Sequence, residues 1–198
     1  MMSRRDTVDA GVVIARTLDA AIALHQRVRS MDQGPIVRAA EALGRTLEAG
    51  RTVLVFGNGG SAADAQHVAA ELVGRFIRER SGMAAVALTT DASVLTSIAN
   101  DYGFDRVFAR QVEALGRPGD AALAISTSGR SANVVEAMKA AAARGLTTIA
   151  LTGNDGGPVG AAADIHVNVP DTSAARVQEV HRTLLHAMCE FVEAGCKD

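Results

Sequence analysis

Five short apolar runs recur along the chain: Thr52 to Phe56, Ala84 to Leu88, Ala121 to Ile125, Thr147 to Leu151 and Ile165 to Val169. Between them, apolar positions fall three and four residues apart, the period of a helix with one buried side. Runs that are apolar throughout belong to strands covered on both faces, and strands that alternate with helices pair in parallel. The pattern therefore predicts an α/β fold built on a three-layer, doubly wound, parallel five-stranded sheet. Two helices precede it. Val12, Val13, Ala15, Leu18, Ala21, Ile22 and Leu24 give helical spacing over Thr7 to Arg29, and a second helix is expected to open at Pro35 and close at Gly50. Gly145 after Arg144 reads as a helix C-cap, and Arg117-Pro118-Gly119-Asp120 as a turn before a central strand. A long helix, Ala174 to Ala194, follows the last strand. The expected organisation is one domain, 1–198, with a helical segment 7–50, a sheet core 52–170 and a C-terminal helix 174–194, joined by short connections. The first and last helices stand outside the alternation and carry apolar stripes, so oligomerisation is expected to cover both.

Composition narrows the partners. The chain has 198 residues, 48% of them hydrophobic, enough for one sizeable core. A net charge of -2 with scattered arginines leaves no footprint for nucleic acid or an anionic membrane. The apolar run Gly11 to Ala15, bounded by Asp9 and Arg16, is too short for a signal peptide, and no stretch is long enough to span a bilayer. Cys189 and Cys196 lie about two turns apart on one helix, too far for a comfortable disulfide, so a reducing cytoplasm is the expected location.

Two loops carry the chemistry. Ile125-Ser126-Thr127-Ser128-Gly129-Arg130-Ser131 breaks an apolar run into hydroxyls and a glycine just before a helical pattern. Hydroxyl donors, a turn at Gly129 and the amides that open a helix from about Ser131 make an anion cradle suited to a phosphate monoester. Gly57-Asn58-Gly59-Gly60-Ser61 repeats the design after the run Val53 to Phe56, and two such loops at strand ends imply one ligand between them. The same residues begin a dinucleotide fingerprint, but Asp91 lies well beyond the position about 20 residues on where its acid is due. With only Lys139 and Lys197 as lysines and no G-x-x-x-x-G-K-[ST], a P-loop is excluded.

On the helix Ser61 to Arg75, His67 and Glu71 are four residues apart and share a face, with Arg75 one turn further on. A solvated His-Glu pair is the plainer alternative. Gln178, Glu179, His181 and His186 interrupt the apolar run of the last helix among Val177, Val180, Leu184, Leu185 and Met188. Such polar residues form either a site or satisfied core groups, and for His181 the core role is expected.

The stretch Gly57 to His67 continued by Glu71-Leu72-Val73-Gly74-Arg75, then Ala99-Asn100-Asp101-Tyr102-Gly103-Phe104, Ile125 to Ser131, Leu151-Thr152-Gly153 and Arg176-Val177-Gln178-Glu179-Val180-His181 with His186, occur in this order. From about Ala39 to Glu193 the chain resembles the phosphoheptose isomerases, the sedoheptulose 7-phosphate isomerase branch of the sugar isomerase (SIS) domain proteins. The resemblance implies an SIS-type sheet and a homotetramer that converts sedoheptulose 7-phosphate to D-glycero-D-manno-heptose 7-phosphate through an enediol.

Carried over by position, the resemblance places substrate contacts at Asn58, Gly59, Gly60, Glu71, Asn100, Asp101, Ser126, Thr127, Ser128, Ser131 and Gln178. Glu71 and His186 become the acid-base pair, and His67, Glu71, Gln178 and His186 the ligands of one zinc per subunit. Because Gln178 and His186 are separated by about 12 Å along a continuous helix and roughly 80° around it, that ligand set implies sites shared between subunits, with His186 visiting a neighbour's His67 and Glu71. Ala175 stands where these isomerases often carry an acid, and Arg130 where asparagine is frequent. That alanine also occurs in a non-catalytic SIS relative, a tetrameric scaffold that binds the replication initiator. The scaffold looks to have lost the glutamate and final histidine that this chain retains as Glu71 and His186.

Overall fold

Alternation along each strand decides which core it serves. Val53 and Val55 enter one apolar cluster while Leu54 and Phe56 enter another on the opposite side of the sheet. The computed structural model describes residues 9–196. Strands β1 (Val53–Gly57), β2 (Ala85–Ala87), β3 (Ala121–Ser126), β4 (Thr147–Gly153) and β5 (Ile165–Val169) form one parallel sheet in the order β2-β1-β3-β4-β5. Helices α2 (Gly34–Glu48), α3 (Gly60–Val73) and α8 (Ala174–Ala194) cover one face. The other face is covered by α4 (Ala92–Tyr102), α5 (Ala109–Leu115), α6 (Ala132–Ala143) and α7 (Gly157–Ala161), with a 3-10 turn at Phe104–Arg106. Helix α1 (Ala10–Arg29) lies outside these layers and docks through Leu24 and Val28 on α8 and the end of β5. No helix of the described residues is long and apolar enough to cross a membrane.

The two outer helices differ from expectation in one respect. Asp9 caps α1 by accepting from the amides of Gly11 and Val12, so the helix starts at Ala10, and the predicted start at Thr7 lies outside the described residues. Its Val12, Ile14, Leu18 and Ile22 remain 56–63% exposed. The stripe of α8 needs no second chain: Val177, Val180, Leu185, Met188, Cys189 and Val192 are all buried in the protomer. Helix α8 returns across the sheet beside α2 and α3, so its own chain covers the side that sequence reasoning left open.

The exit of α3 departs from expectation as well. The helix stops at Val73 rather than Arg75, and Arg75 is exposed beside Glu79 instead of extending the His67–Glu71 face. The cause is Arg80. Its guanidinium donates to the carbonyl oxygens of Glu71 (2.7 Å), Leu72 (2.9 Å) and Gly74 (3.2 Å), acceptors that further helix turns would otherwise bond. Glu193 of α8 completes the clamp, accepting backbone N–H bonds from Phe76, Ile77 and Arg78 at 2.8–3.0 Å, with Arg80 Nε at 3.4 Å. Burial pushes the Glu193 carboxyl pKa up, but the three amides and the Arg80 charge outweigh it and hold the pKa below the ordinary value.

A group with a lowered folded pKa stabilises above its unfolded value, about 4.3 for glutamate, and loses that contribution as pH falls through the folded value. Glu193→Gln is therefore expected to cost about 2 kcal/mol at neutral pH, measured by urea unfolding. The gap between the two proteins should narrow as pH is taken below about 4. A gap that stays constant into acid would show that the carboxylate charge does not hold the clamp.

Candidate active site

A doubly wound sheet opens a crevice where neighbouring strands send their chains into different layers, and here that point lies between β1 and β3. Both hydroxyl- and glycine-rich loops emerge there. The last ladder pair between the two strands is Gly57 with Ile125, after which one chain turns into α3 and the other into α6. In the second loop Ser126 is buried with its Oγ 3.5 Å from Ser131 Oγ, Thr127 is half-buried, and the exposed Ser128 accepts from the Arg130 amide. Gly129 has φ +66° and lies against the backbone of Gly156, where a Cβ would collide. Ser131 precedes α6 without capping it through its side chain, which leaves the opening amides of that helix without a local side-chain acceptor. Arg130 pairs with Asp155 at 2.5 Å on the outside of the loop.

In the first loop the side-chain amide of Asn58 is taken up by Asn133, a buried residue that sequence reasoning missed. Asn100 and Asp101, also expected near substrate, hydrogen-bond each other on the exposed end of α4 and are not bonded to either loop.

Helices α3 and α8 run parallel, and the contacts between them advance together. Gly60 faces Gln178, leaving no space for a Cβ. Asp64 accepts from Gln178 (3.0 Å) and from Arg182 (2.6 and 3.0 Å), and His67 meets His186. His67 Nε2 lies 2.7 Å from His186 Nε2 and 3.5 Å from Glu71 Oε1. The expected visit of His186 to another chain is thereby corrected, because parallel packing brings both histidines together within one protomer. Gln178 stays about two turns away at the start of the same groove. Phe76, held by Glu193, sets its ring 5.4 Å from that of His186.

Asp64 is fully buried. It lies along the stripe of Ser61, Ala65, Val68 and Leu72, and that placement among buried positions was the signal for it. His181 is a core histidine: its Nε2–H donates to the Thr152 carbonyl at 3.0 Å. Burial lowers its pKa, partly offset by that carbonyl and by Asp64.

Only one proton fits between Nε2 of His67 and Nε2 of His186, so one ring donates while the other accepts. Two imidazole nitrogens and a carboxylate are also donors that zinc takes. Among the described residues no group of three His, Cys, Asp or Glu side chains is placed so that it could hold a metal ion. Two nitrogens on one tetrahedral zinc stand about 3.3 Å apart, so His67 and His186 would need to part by about 0.6 Å. The donor types suit zinc, and the side chains would have to move to hold it.

The sequence pattern of the SIS domain family matches residues 18–153. The chain is 53% identical over 176 residues to a phosphoheptose isomerase of a Roseiflexus species, covering 89% of each. It is 49% identical over 182 residues to that of Trichlorobacter lovleyi, covering 92% of this chain and 93% of the relative. Its fold is similar to the solved phosphoheptose isomerase of Neisseria gonorrhoeae, with a TM-score of 0.89, 48% identity and coverage of 94% of this chain and 100% of that one. With the paired loops at the switch point and the histidine pair along the α3–α8 groove, these likenesses place the chain in the phosphoheptose isomerase family of SIS domain proteins.

Proposed function

We propose that this isomerase converts sedoheptulose 7-phosphate to D-glycero-D-manno-heptose 7-phosphate. The observation that carries the assignment is the convergence of His67, Glu71 and His186 along a groove that starts at the phosphate-type loops. Ser126, Thr127, Ser128 and Ser131 hold the phosphate with the opening amides of α6. Gly59, Gly60 and the backbone at Asn58 border the sugar, and Gln178, Asn100 and Asp101 bond its hydroxyls. Glu71 removes the proton from C1, giving an enediol, and returns it to C2. His186 passes the hydroxyl proton from O1 to O2, so the ketone at C2 becomes a hydroxyl and C1 an aldehyde. A zinc held by His67, Glu71 and His186 would polarise the carbonyl. Gln178 is left to the substrate, and the Phe76 ring keeps water from one side of His186.

The protein works as a homotetramer in the cytoplasm, where Cys189 and Cys196 stay reduced. The α1 stripe supplies the contact between subunits, because four large apolar side chains on one helix stand exposed among the described residues. The scaffold alternative is not favoured, since relatives about half identical over most of their length are isomerases and this chain keeps Glu71 and His186.

Glu71→Gln keeps the shape of the side chain and removes the base, so turnover of sedoheptulose 7-phosphate is expected to fall about 10²- to 10⁴-fold with the fold intact. Folded wild-type protein that forms no aldose, with zinc supplied, would exclude the isomerase and leave the scaffold.

Since His67, Glu71 and His186 belong to one chain, mixing Glu71→Gln with His186→Ala protein should restore no activity after verified subunit exchange. Recovery of activity would mean that Glu71 and His186 act across subunits.

Leu18→Glu should convert the tetramer to smaller species in light scattering, because it charges the exposed stripe. A variant that stays tetrameric would show that another surface holds the subunits together.

A further inference from the structure

The β1–β3 ladder ends at Gly57 and Ile125, and beyond it the two chains part toward opposite layers of the fold. Past that point a reciprocal pair of side-chain hydrogen bonds joins them. Asn58 Nδ2 donates to Asn133 Oδ1 at 2.8 Å, and Asn133 Nδ2 donates to Asn58 Oδ1 at 2.9 Å. Asn133 is the second residue of α6 and is 2% exposed, so water cannot replace its partner if the pair opens. Both amides use a donor and an acceptor on each other, which fixes their separation and their orientation.

We infer that Asn133 is a positioning residue: through its reciprocal amide pair with Asn58 it latches the first loop to the phosphate loop and sets the width of the cleft for a sugar phosphate. The inference rests on the proposed isomerisation for its substrate, but the latch itself is a property of the two loops. The cleft needs such a device because each loop is carried by a helix on a different face of the sheet. Inorganic phosphate lies in the second loop alone and is insensitive to the latch. A sugar phosphate spans both loops and loses affinity when they part.

Asn133→Ala tests this with three readouts. The KM for sedoheptulose 7-phosphate should rise about tenfold, as expected for one buried amide pair lost, with kcat changed by less than about threefold. Binding of inorganic phosphate, followed by calorimetry, should match wild type. Amide hydrogen exchange at residues 58–61 should quicken while β1 and β3 keep their protection. Asn58→Ala, at a half-buried loop position, should quicken the same exchange, and the double variant should exchange no faster than either single one. It also carries the test if Asn133→Ala does not fold. A fall in kcat with KM unchanged, a parallel loss of phosphate binding, or unaltered exchange at 58–61 would overturn the latch. Wild-type protein without isomerase activity would overturn the proposed reaction alone, and the exchange and phosphate measurements would then decide the latch.

Discussion

The parallel packing of α3 against α8 is the constraint on which the site depends. Two buried carboxylates fix its register from opposite ends. Asp64 on α3 takes bonds from Gln178 and Arg182 of α8, while Glu193 on α8 takes three amides from the chain leaving α3. Sliding one helix by a turn would strip both carboxylates of partners inside the protein, at a cost of several kcal/mol each. His67 and His186 lie between these two anchors, so their approach to 2.7 Å follows from interactions that are not themselves catalytic. Arg80 extends the control to Glu71 by holding its carbonyl oxygen at the frayed end of α3.

The phosphate-type loop is supported from behind in a similar way. Gly129 rests on Gly156, and the ring of His166 fills the space beside Gly156 and Gly160. His166 and Asn168 both bond the Thr152 hydroxyl, and His181 donates to the Thr152 carbonyl. Burial lowers the pKa of both histidines, so each stays neutral near pH 7 and adds no charge beneath the cradle. Positive potential at the loop then comes from helix amides and hydroxyl dipoles, which suits a monoester that must enter and leave.

Apolar surface is divided unequally between the two outer helices. Helix α8 buries all of its large apolar side chains but the half-exposed Phe191 and the partly buried Leu184 in its own chain, whereas α1 packs through its last turns and leaves Val12, Ile14, Leu18 and Ile22 in the open. Helix α4, which carries Asn100 and Asp101, has no buried residue. Among the described residues α1 carries four exposed large apolar side chains, with others at Val73, Ile77, Tyr102, Phe104 and Phe191, and His67 and His186 already meet inside the protomer.

Much was legible in the sequence because it depends on local period and local chemistry. Unbroken apolar runs separated by helical spacing determined the parallel sheet, and each strand came within two residues of its predicted ends. Hydroxyls and glycines directly after two of those runs marked the loops, since strand-to-helix turns that bind anions need donors and freedom at positive φ. What the chain order could not reveal was which helix faces would meet. Asp64, Asn133 and Glu193 looked like ordinary polar residues, and the side-chain and backbone partners described for them lie 75 to more than 100 positions away, while Arg80 turns back on the helix end just before it. Helical spacing correctly kept Gln178 and His186 apart, yet it assigned His186 to another subunit, because nothing in one helix's period states that α8 runs parallel to α3. Which faces meet, and in what register, was decided by tertiary structure, where the buried carboxylates of Asp64 and Glu193 find their hydrogen bonds.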